Sequence, residues 1–423
     1  MTDTIFALSS GRLPSAIAVI RISGPGANPV CRRLAGDLPA ERRASLRTLR
    51  SSEGDILDKA IIVRFPAPNT ATGEDIVELH CHGGRAVVER IESELAGHAG
   101  LRRARPGEFT ERAFSNGRMG LDEVEALADL LNAETELQRR FAQAALDGGS
   151  ARPAVRWRQE VLRLSALIES AIDFDDEDDV DVSPKEVVNG MNSLRADLLA
   201  HLERPSTRRL REGVRVVLAG PPNSGKSSLF NAMLQDNAAI TSATAGTTRD
   251  LIERSIAIEG VPFVLVDTAG LRQTTSDDIE LEGIGRARRS IEDADLVLWL
   301  GAEGEGPEGA LEIDTKIDCD AAPRKNDPWH SVSATTGEGV ARLGHKLSDR
   351  ARRLLPKPGE GVLNERQKAL AAEAATHLEH PAADPLVLAE QLRYTRAAFD
   401  RILGNTATEE MLDALFGNFC IGK

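Results

Sequence analysis

The sequence predicts a multidomain protein in which an N-terminal α/β domain is followed by a discontinuous helical domain that a second α/β domain interrupts. Three observations predict this architecture. Strand-like runs alternate with turns before residue 118, helical periodicity occurs on both sides of residues 211–350, and a Gly-rich loop joins a strand to a helix inside that range. The predicted domains are therefore 1–118, 119–210, 211–350 and 351–423.

The composition is that of a globular protein. With 423 residues, of which 41% are hydrophobic and 28% charged, the chain is long enough for two or three domains. Four cysteines lie far apart and no apolar run is long enough to cross a membrane, so we expect a cytoplasmic protein without a disulfide framework or membrane contact. Because the net charge of −14 repels a phosphate backbone, a nucleic-acid substrate requires a local basic patch or a basic partner.

Short apolar runs that alternate with turns predict the strands of the N-terminal domain. The predicted strands are Ile5–Leu8, Ala16–Ile22, Lys59–Phe65 and Asp75–His82, and the predicted helix is Arg85–Leu95. A loop and a short helix are expected at 105–114, and a turn closes the domain near residue 118.

Apolar residues at intervals of three and four predict the helical domain. They occur in Leu121–Asp147, Pro153–Ile172 and Pro184–Leu202, and again in Asn364–Leu378, Pro385–Leu403 and Thr408–Leu415. Since the chain ends of a compact insertion lie close together, the helices before and after it are expected to pack as one unit. The acidic run 173–179 lacks the glycine and ligand spacing of a calcium loop and is interpreted as a helix connection.

A complete G-x-x-x-x-G-K-S motif occupies Gly220–Ser227, between a predicted strand at Val214–Ala219 and a predicted helix at Ser228–Gln235. Its glycines let backbone N–H groups converge on phosphate oxygens at a helix N-terminus. Lys226 supplies a positive charge to the outer phosphates, and the Ser227 hydroxyl can ligate Mg²⁺. The motif in this context predicts that the chain binds a nucleoside triphosphate.

Two further motifs are placed to respond to the γ-phosphate. Asp267–Gly270 follows the strand predicted at Val261–Val266, where a carboxylate can hold the Mg²⁺ shell and a glycine N–H can meet the γ-phosphate. Thr248, in Ala245–Asp250, is the candidate switch threonine that ligates Mg²⁺ only when the γ-phosphate is present. Together they predict a Ras-like P-loop G domain.

The segment Thr315-Lys316-Ile317-Asp318 predicts guanine as the base. The Asp318 carboxylate can accept from the N1 and N2 donors of guanine, and the backbone at 333–335 can meet its O6 acceptor. The usual first residue of this motif is Asn. Thr315 keeps a short polar side chain but loses the amide, so we expect a lower affinity or base selectivity.

The group that orients the attacking water is not in its usual position, because Leu271 stands where Ras-like switches have Gln. Two candidates remain open at this point. One is Glu282, and the other is a monovalent cation held by Asn223 in the place that other GTPases give to an arginine finger.

These motifs together resemble the MnmE or TrmE family of tRNA modification GTPases from the first strand to the last residue. The stretches that carry the resemblance are Ala16–Pro25, Thr72–Gly84, Arg105–Phe114 and Cys420-Ile421-Gly422-Lys423. The GTPase motifs alone are generic, whereas few other families have a C-terminal Cys-x-Gly-Lys.

The resemblance implies an N-terminal domain that binds tetrahydrofolate and dimerises, and an inserted potassium-dependent G domain whose dimerisation across the nucleotide activates hydrolysis. It also implies a homodimer that forms a heterotetramer with the flavoprotein MnmG. This complex would hold tRNA and add a carboxymethylaminomethyl or aminomethyl group to C5 of the wobble uridine. The implied one-carbon donor is 5,10-methylenetetrahydrofolate or a related tetrahydrofolate.

Carried over position by position, the resemblance implies roles for individual residues. Folate contacts would come from Arg21, Glu78, Arg118 and Lys423, with Arg118 in place of the usual Lys. K⁺ would be held by Asn223, Ser242, Thr244 and Thr247, and Mg²⁺ by Ser227 and Thr248. Glu282 would position the hydrolytic water. For Cys420, a place beside the one-carbon unit and a free thiol without chemistry both remain open.

The complete predicted GTP site combines the motif residues with these positions. Its members are Asn223, Ser224, Gly225, Lys226, Ser227, Ser228, Ser242, Thr247, Thr248, Asp267, Thr268, Ala269, Gly270, Thr315, Lys316, Asp318, Ser333, Ala334 and Thr335.

A competing hypothesis is a binding module rather than an enzyme of tRNA modification. In this hypothesis the chain is a GTP-operated switch for ribosome or RNA assembly, and its N-terminal domain docks RNA or dimerises without folate chemistry. Arg21, Glu78 and the C-terminal tetrapeptide discriminate between the two, because an assembly switch has no need for them.

Overall fold

The computed structural model describes residues 3–149, 151–173, 184–236, 253–268, 288–357, 361–406, 409–417 and 419–422. The chain forms two compact units. The first contains residues 1–128 and 403–423, and the second contains residues 129–402. The domain boundaries at 118, 210 and 350 stay predictions.

The first unit is built on one six-stranded sheet. Its strands are β1 (Thr4–Leu8), β2 (Ser15–Ser23), β3 (Ser45–Arg50), β4 (Ile56–Phe65), β5 (Ile76–Gly83) and β6 (Leu101–Arg103). They lie in the order β3-β4-β5-β2-β1-β6, and the pair formed by β1 and β6 is parallel while the other pairs are antiparallel. Along β2, Ala18, Ile20 and Ile22 are buried. Because successive side chains alternate between the faces of a sheet, Ile17 and Arg21 lie on the opposite face.

Two of the helices of the first unit, the first and the second in the chain, cover one face of this sheet. The helices of the first unit are α1 (Ala27–Ala35), α2 (Arg85–Ala96), α3 (Glu108–Ser115), α4 (Leu121–Leu131) and, from the end of the chain, α13 (Glu409–Gly417). Val30 of α1 and Ile91 of α2 belong to the same core as Ile20. A separate cluster joins Val124 of α4 to Phe416 of α13, so the C-terminal segment is packed into this unit.

The second unit contains another six-stranded sheet. Its strands are β7 (Val214–Ala219), β8 (Glu253–Ile258), β9 (Val261–Asp267), β10 (Leu296–Trp299), β11 (Leu311–Thr315) and β12 (His330–Val332). The order is β12-β11-β10-β7-β9-β8, parallel except for the antiparallel pair of β8 and β9. β7 lies inside the sheet and is almost continuously apolar, as expected of a strand buried on both faces.

The remaining helices belong to the second unit. They are α5 (Glu136–Leu146), α6 (Arg152–Asp173), α7 (Pro184–Leu202), α8 (Arg208–Glu212), α9 (Lys226–Asp236), α10 (Val340–Leu354), α11 (Glu365–His377) and α12 (Pro385–Ile402). α6 packs against α7 and α12, and α11 packs against both α7 and α12. Helices that precede the second sheet in the chain thus form one bundle with helices that follow it. This confirms the predicted discontinuous helical domain. No described helix is both long and apolar enough to span a bilayer.

The periodic segment Leu121–Asp147 folds as two helices, α4 and α5, rather than as one. The second begins with a capping box, in which the Thr135 hydroxyl accepts from the Gln138 N–H and the Gln138 side chain accepts from the Thr135 N–H. This cap lets α5 turn onto the second sheet, where Phe141 joins the hydrophobic core of that sheet. The acidic run is outside the described residues from 174 onward.

Candidate functional site

The phosphate loop begins where β7 ends. Gly220 has φ +152°, and a Cβ there would lie 3.0 Å from Ser224 Oγ and 3.1 Å from Gly301 N. Asn223 and Gly225 also have positive φ, 62° and 98°, and α9 starts directly afterwards at Lys226. Asparagine adopts this left-handed region more readily than most residues. The loop therefore has the backbone conformation and the helix N-terminus that suit an anion.

Two side chains of the loop are suited to phosphate. Lys226 is buried, and its Nζ donates to the carbonyl oxygens of Gly220 at 3.0 Å and Pro221 at 2.7 Å. The Ser224 Oγ atom is buried and has no hydrogen-bond partner among the described residues. A buried hydroxyl without a partner is costly, so an anion in the loop would satisfy a group that the protein alone leaves unsatisfied.

The next two positions bring oxygen ligands together. Ser227 Oγ donates to Asp267 Oδ2 at 2.6 Å, and Asp267 lies at the end of β9 with only 7% exposure. The hydroxyl of Thr268 donates to Leu218 O at 2.8 Å and ties the end of β9 to β7. Ser228 is exposed on the first turn of α9. A carboxylate and a hydroxyl are the type of donor that Mg²⁺ prefers, so this pair fits the ion.

The base-reading segment is tied directly to the phosphate loop. Thr315 Oγ1 donates to Ser224 O at 2.9 Å, and Lys316 Nζ donates to Asn223 O at 2.7 Å. Lys316 itself has φ +58° at the end of β11. The threonine that replaces the usual asparagine therefore keeps a hydrogen bond to the backbone of the phosphate loop.

The loop after β12 completes the base-reading side. Ser333 is fully buried, and its Oγ accepts from the Thr336 N–H at 3.1 Å. A hydrogen bond from the Ser333 side chain holds the pKa of Asp318 below its usual value, so the Asp318 carboxylate is ionised and adjacent to this loop. Ala334 packs against the core of the sheet, and Thr335 is exposed. The predicted guanine-reading residues are thus brought together.

Eight of the predicted site residues lie outside the described residues. They are Ser242, Thr244, Thr247, Thr248, Ala269, Gly270, Glu282 and Lys423. Their assigned roles stay predictions.

In the first unit, Arg21 and Glu78 are cross-strand neighbours on β2 and β5. Arg21 donates from Nε at 3.2 Å and from Nη2 at 3.1 Å to Glu78 Oε1, and its guanidinium lies 5.6 Å from the centroid of the Phe109 ring. Glu78 Oε2 also lies 3.2 Å from His80 Nε2. Two of the predicted folate residues, taken from different sequence stretches, therefore form one pair.

Arg118 does not join this pair through a hydrogen bond or an ion pair. It is exposed, and its backbone N–H donates to Ala113 O at 2.8 Å. Within the described part of the chain, the Arg118 side chain has no hydrogen bond or ion pair, so its charge is available to an anion from solution.

The described part of the C-terminal tetrapeptide, residues 420–422, lies against the first sheet. Ile421 forms a bridge with Pro106, and a Cβ on Gly422, whose φ is +94°, would lie 2.2 Å from Leu8 O. Only glycine fits this close approach. Leu8 follows Ala7, which is the β1 partner of Arg21, so Gly422 lies close to the strand that carries Arg21. Cys420 is exposed.

Arg112, which is absent from the predicted site, is the centre of a buried charge cluster in the same unit. Arg112 is fully buried and donates to Asp3 Oδ1 at 2.9 Å and to Glu74 Oε2 at 3.1 Å. Glu74 also accepts from Ser23 Oγ at 2.8 Å. Ser23, Glu74 and Arg112 come from three of the stretches that carry the family resemblance. A search for opposite charges in different stretches could have found the pair of Glu74 and Arg112.

Family models and curated relatives cover the chain. The model for the MnmE helical domain matches residues 121–420, and the model for the N-terminus of the GTP-binding protein TrmE matches residues 4–118. The tRNA modification GTPase MnmE of Erythrobacter litoralis (strain HTCC2594) is 56% identical over 423 residues, which is 100% of both chains.

Two further relatives carry the same description. The MnmE of Novosphingobium aromaticivorans is 53% identical over 437 residues and 100% of both chains. That of Rhizorhabdus wittichii is 49% identical over 430 residues, which cover 100% of this chain and 97% of the relative. These matches, with the nucleotide-site geometry, show that the chain belongs to the MnmE/TrmE family of tRNA modification GTPases.

Proposed function

We propose that this chain is a potassium-dependent GTPase that acts with the flavoprotein MnmG on tRNA. The complex adds a carboxymethylaminomethyl or aminomethyl group to C5 of the wobble uridine and takes the one-carbon unit from 5,10-methylenetetrahydrofolate or a related tetrahydrofolate. The observation that carries the proposal is the close contact of Gly422 with the backbone of Leu8, beside the two strands that carry Arg21 and Glu78. A GTP switch without folate chemistry has no use for this arrangement.

GTP is the substrate of the second unit. Lys226 Nζ gives up its carbonyl partners in the loop for the outer phosphate oxygens, and Ser224 Oγ gains an acceptor. Ser227 and Asp267, together with Thr248, would hold Mg²⁺, which supplies charge neutralisation at the β- and γ-phosphates. Asp318 binds the donor edge of guanine as an ionised carboxylate.

Asn223 supports the potassium proposal. Its side chain is exposed on the phosphate loop, and its backbone oxygen is already used by Lys316. The amide oxygen is thus a neutral ligand that suits a weakly hydrated monovalent cation. K⁺, held with Ser242, Thr244 and Thr247, would supply the positive charge that an arginine finger supplies elsewhere. Glu282 orients the attacking water in this proposal.

Exchange of the monovalent cation tests the assignment of K⁺ to the phosphate loop. Replacement of K⁺ by Na⁺ should lower GTP turnover strongly in the wild type, and Asn223→Ala should abolish the difference between the two salts. Asn326→Ala, in the same unit but hydrogen-bonded to Glu303, should keep it. Equal wild-type turnover in K⁺ and Na⁺ contradicts the assignment.

The residues of the first unit suit the two chemical parts of a reduced folate. Glu78 is a carboxylate that can accept from the N–H donors of a pteridine, while Arg21 holds it in place from the neighbouring strand. Arg118 and Lys423 offer cations to the carboxylates of the glutamate tail. Cys420 is a free, exposed thiol, and in this proposal it lies beside the one-carbon unit.

Calorimetry with tetrahydrofolate tests the folate assignment against the assembly-switch alternative. Wild type should bind, and Arg21→Ala combined with Lys423→Ala should abolish the heat. Lys59→Ala is the matched control, because Lys59 is an exposed cation on β4 of the same sheet. No heat with wild type, or unchanged binding in the double variant, removes the folate function and leaves a GTPase of another role.

An exposed part of the first sheet, formed by β2, β3 and β4, supports a homodimer. Leu46 and Ile61 are cross-strand partners with 66% and 43% exposure. Ile61 is paired with His80 and Ile17 with His82, and His80 and His82 share one face of β5. Ile17, which is 57% exposed, therefore lies on the same face as Ile61. Three exposed large apolar side chains on one face are typical of an interaction surface. Light scattering of Leu46→Glu with Ile61→Glu should show monomers if this face joins two copies, and an unchanged dimer rejects it.

A further inference from the structure

Helix α10 of the second unit carries a row of cations on one face. Arg342, Lys346, Arg350 and Arg353 are spaced by four, four and three residues, so they follow each other along the same side of the helix. The three arginines are exposed. With Arg352, the helix has five cations against one carboxylate, Asp349, in a chain whose net charge is −14. We call these four residues the α10 cationic row.

Stability of the helix does not account for this row. Cations in the last turn, such as Arg353, are favourable at the negative end of the helix macrodipole. Arg342 lies in the first turn, where a positive charge is unfavourable, and that turn contains no acidic residue. Among the described residues, the side chains of Arg342, Arg350 and Arg353 form no hydrogen bond or ion pair.

The opposite side of α10 fixes which way the row faces. Leu343, Leu347 and Ala351 are fully buried in the core of the second sheet. Lys346 Nζ donates to Trp329 O at 2.6 Å and lies 4.9 Å from the centroid of the Trp329 ring. The helix therefore cannot rotate about its axis without losing these contacts, and the three arginines remain in solvent.

The positive charge of the row acts on a half-buried neighbour, His330. Burial lowers the pKa of His330, the hydrogen bond with Gly339 O raises it, and the positive charges of Lys346 and Arg342 lower it further. His330 is thereby kept neutral at physiological pH, so it adds no charge of its own. Among the residues that the structure describes, no carboxylate pairs with Arg342 or Lys346.

We propose that the α10 cationic row binds the phosphate backbone of tRNA directly. The inference rests on the proposed function for the identity of the RNA. From Arg342 to Arg353 the row extends over roughly 16 Å, which is enough to meet several successive phosphates. Three of its four members are arginines, whose guanidinium groups form paired hydrogen bonds with phosphate oxygens.

Two features favour RNA over an acidic protein as the occupant. The exposed residues of α10 include no large apolar side chain and no Phe, Tyr or Trp, whereas protein interfaces depend on such anchors near their centre. The exposed imidazole of this helix, His345, is paired with Glu259, so the row offers contacts to the phosphate backbone rather than a stacking surface for bases. The row should therefore contribute affinity without sequence preference.

The test uses the full chain and an unmodified tRNA transcript with uridine at the wobble position. Fluorescence anisotropy gives the affinity at several salt concentrations for wild type and for Arg342→Gln/Arg350→Gln/Arg353→Gln. The triple variant should bind about tenfold or more weakly at 0.1 M salt, with a salt slope smaller in magnitude by about 2 to 3. Its GTP turnover and nucleotide Kd should match those of wild type.

The matched control removes the same charge elsewhere. Arg139→Gln/Arg140→Gln/Arg163→Gln neutralises three exposed helical arginines, each of which already pairs with a glutamate on its own helix. This variant should keep the wild-type affinity and slope. Equal binding by wild type and the α10 variant, including no binding by either, overturns the inference.

Two other outcomes separate the inference from the proposed function. If the α10 variant keeps its tRNA affinity but no longer co-elutes with the partner flavoprotein, the row docks protein and the inference is wrong. Folate calorimetry reports on the proposed function independently of RNA. A wild type that binds tRNA through the row but gives no heat with tetrahydrofolate refutes the proposed function and leaves the row as a general RNA contact.

Discussion

The hydrogen bond from Thr315 to the phosphate loop can be removed without changing the shape of the side chain. Thr315→Val deletes the hydroxyl that donates to Ser224 O at 2.9 Å. The valine fills the same volume, so the strand end at β11 should keep its packing. We expect a lower affinity for guanine nucleotide, because the predicted base-reading segment loses one of the two described hydrogen bonds that join it to the phosphate loop.

The magnitude follows from the geometry. A neutral hydrogen bond contributes about 0.5 to 1.5 kcal/mol net, which corresponds to a Kd change of roughly 2-fold to 12-fold. The link from Lys316 Nζ to Asn223 O, at 2.7 Å, remains in the variant and prevents complete separation of the loops. We therefore expect the Kd for GDP to rise about fivefold, near the middle of that range.

Displacement of a fluorescent guanine nucleotide in Mg²⁺ buffer measures this Kd. Thr395→Val is the matched control, because its hydroxyl donates to Gln391 O at 2.8 Å within α12, away from the nucleotide. Thr315→Asn should bind at least as well as wild type, since an amide N–H can reach the same carbonyl. A Thr315→Val Kd equal to that of wild type, or a fivefold change in Thr395→Val, would refute the reasoning.

Three further predictions concern the first unit. Arg112→Met leaves the carboxylates of Asp3 and Glu74 without their buried cation. Thermal denaturation should show that the free energy of unfolding falls by about 3 to 5 kcal/mol, while the affinity for GDP is unchanged. Burial raises the pKa of Glu108, but hydrogen bonds from Arg102 and the Arg105 N–H lower it more, so its folded pKa lies below 4.5. This stabilisation is present above pH 4.5 and is lost as the pH falls through the folded pKa; urea unfolding should show that Glu108→Gln weakens this pH dependence. Gly422→Ala places a Cβ 2.2 Å from Leu8 O and should weaken tetrahydrofolate binding about tenfold or more in calorimetry, with GTP turnover retained.

The sequence predicted the phosphate loop and its two flanking elements well, because several local signals agree there. The apolar run of β7 begins and ends at the predicted residues, and the glycine at 220 stops it. The helix α9 is longer than predicted at both ends, Lys226–Asp236 rather than Ser228–Gln235. Propensity, pattern and turn chemistry all indicate the same structure at this site, which is why local reasoning sufficed.

Some of the elements that the sequence did not predict are very short strands. β12 has three residues and β10 has four, so neither is long enough to show a period. The division between α4 and α5 did have a local signal, Thr135 followed three residues later by Gln138, which is a capping-box pattern. The pairing of Arg112 with Asp3 has no such signal, because 109 residues separate them.

The position of Thr315 also explains why the site tolerates a residue other than asparagine. The acceptor of its hydrogen bond is a backbone carbonyl of the phosphate loop, and any short side chain with a donor can reach a backbone oxygen. In the proposed function, recognition of guanine depends instead on a side-chain carboxylate at Asp318 that no neutral residue can replace with the same two acceptors. We therefore expect the link between the loops and the choice of base to be separate functions of this motif. The Thr315→Val variant should therefore lower the affinities for GDP and for other purine nucleotides by the same factor, and a change in their ratio would place base selection at Thr315 instead.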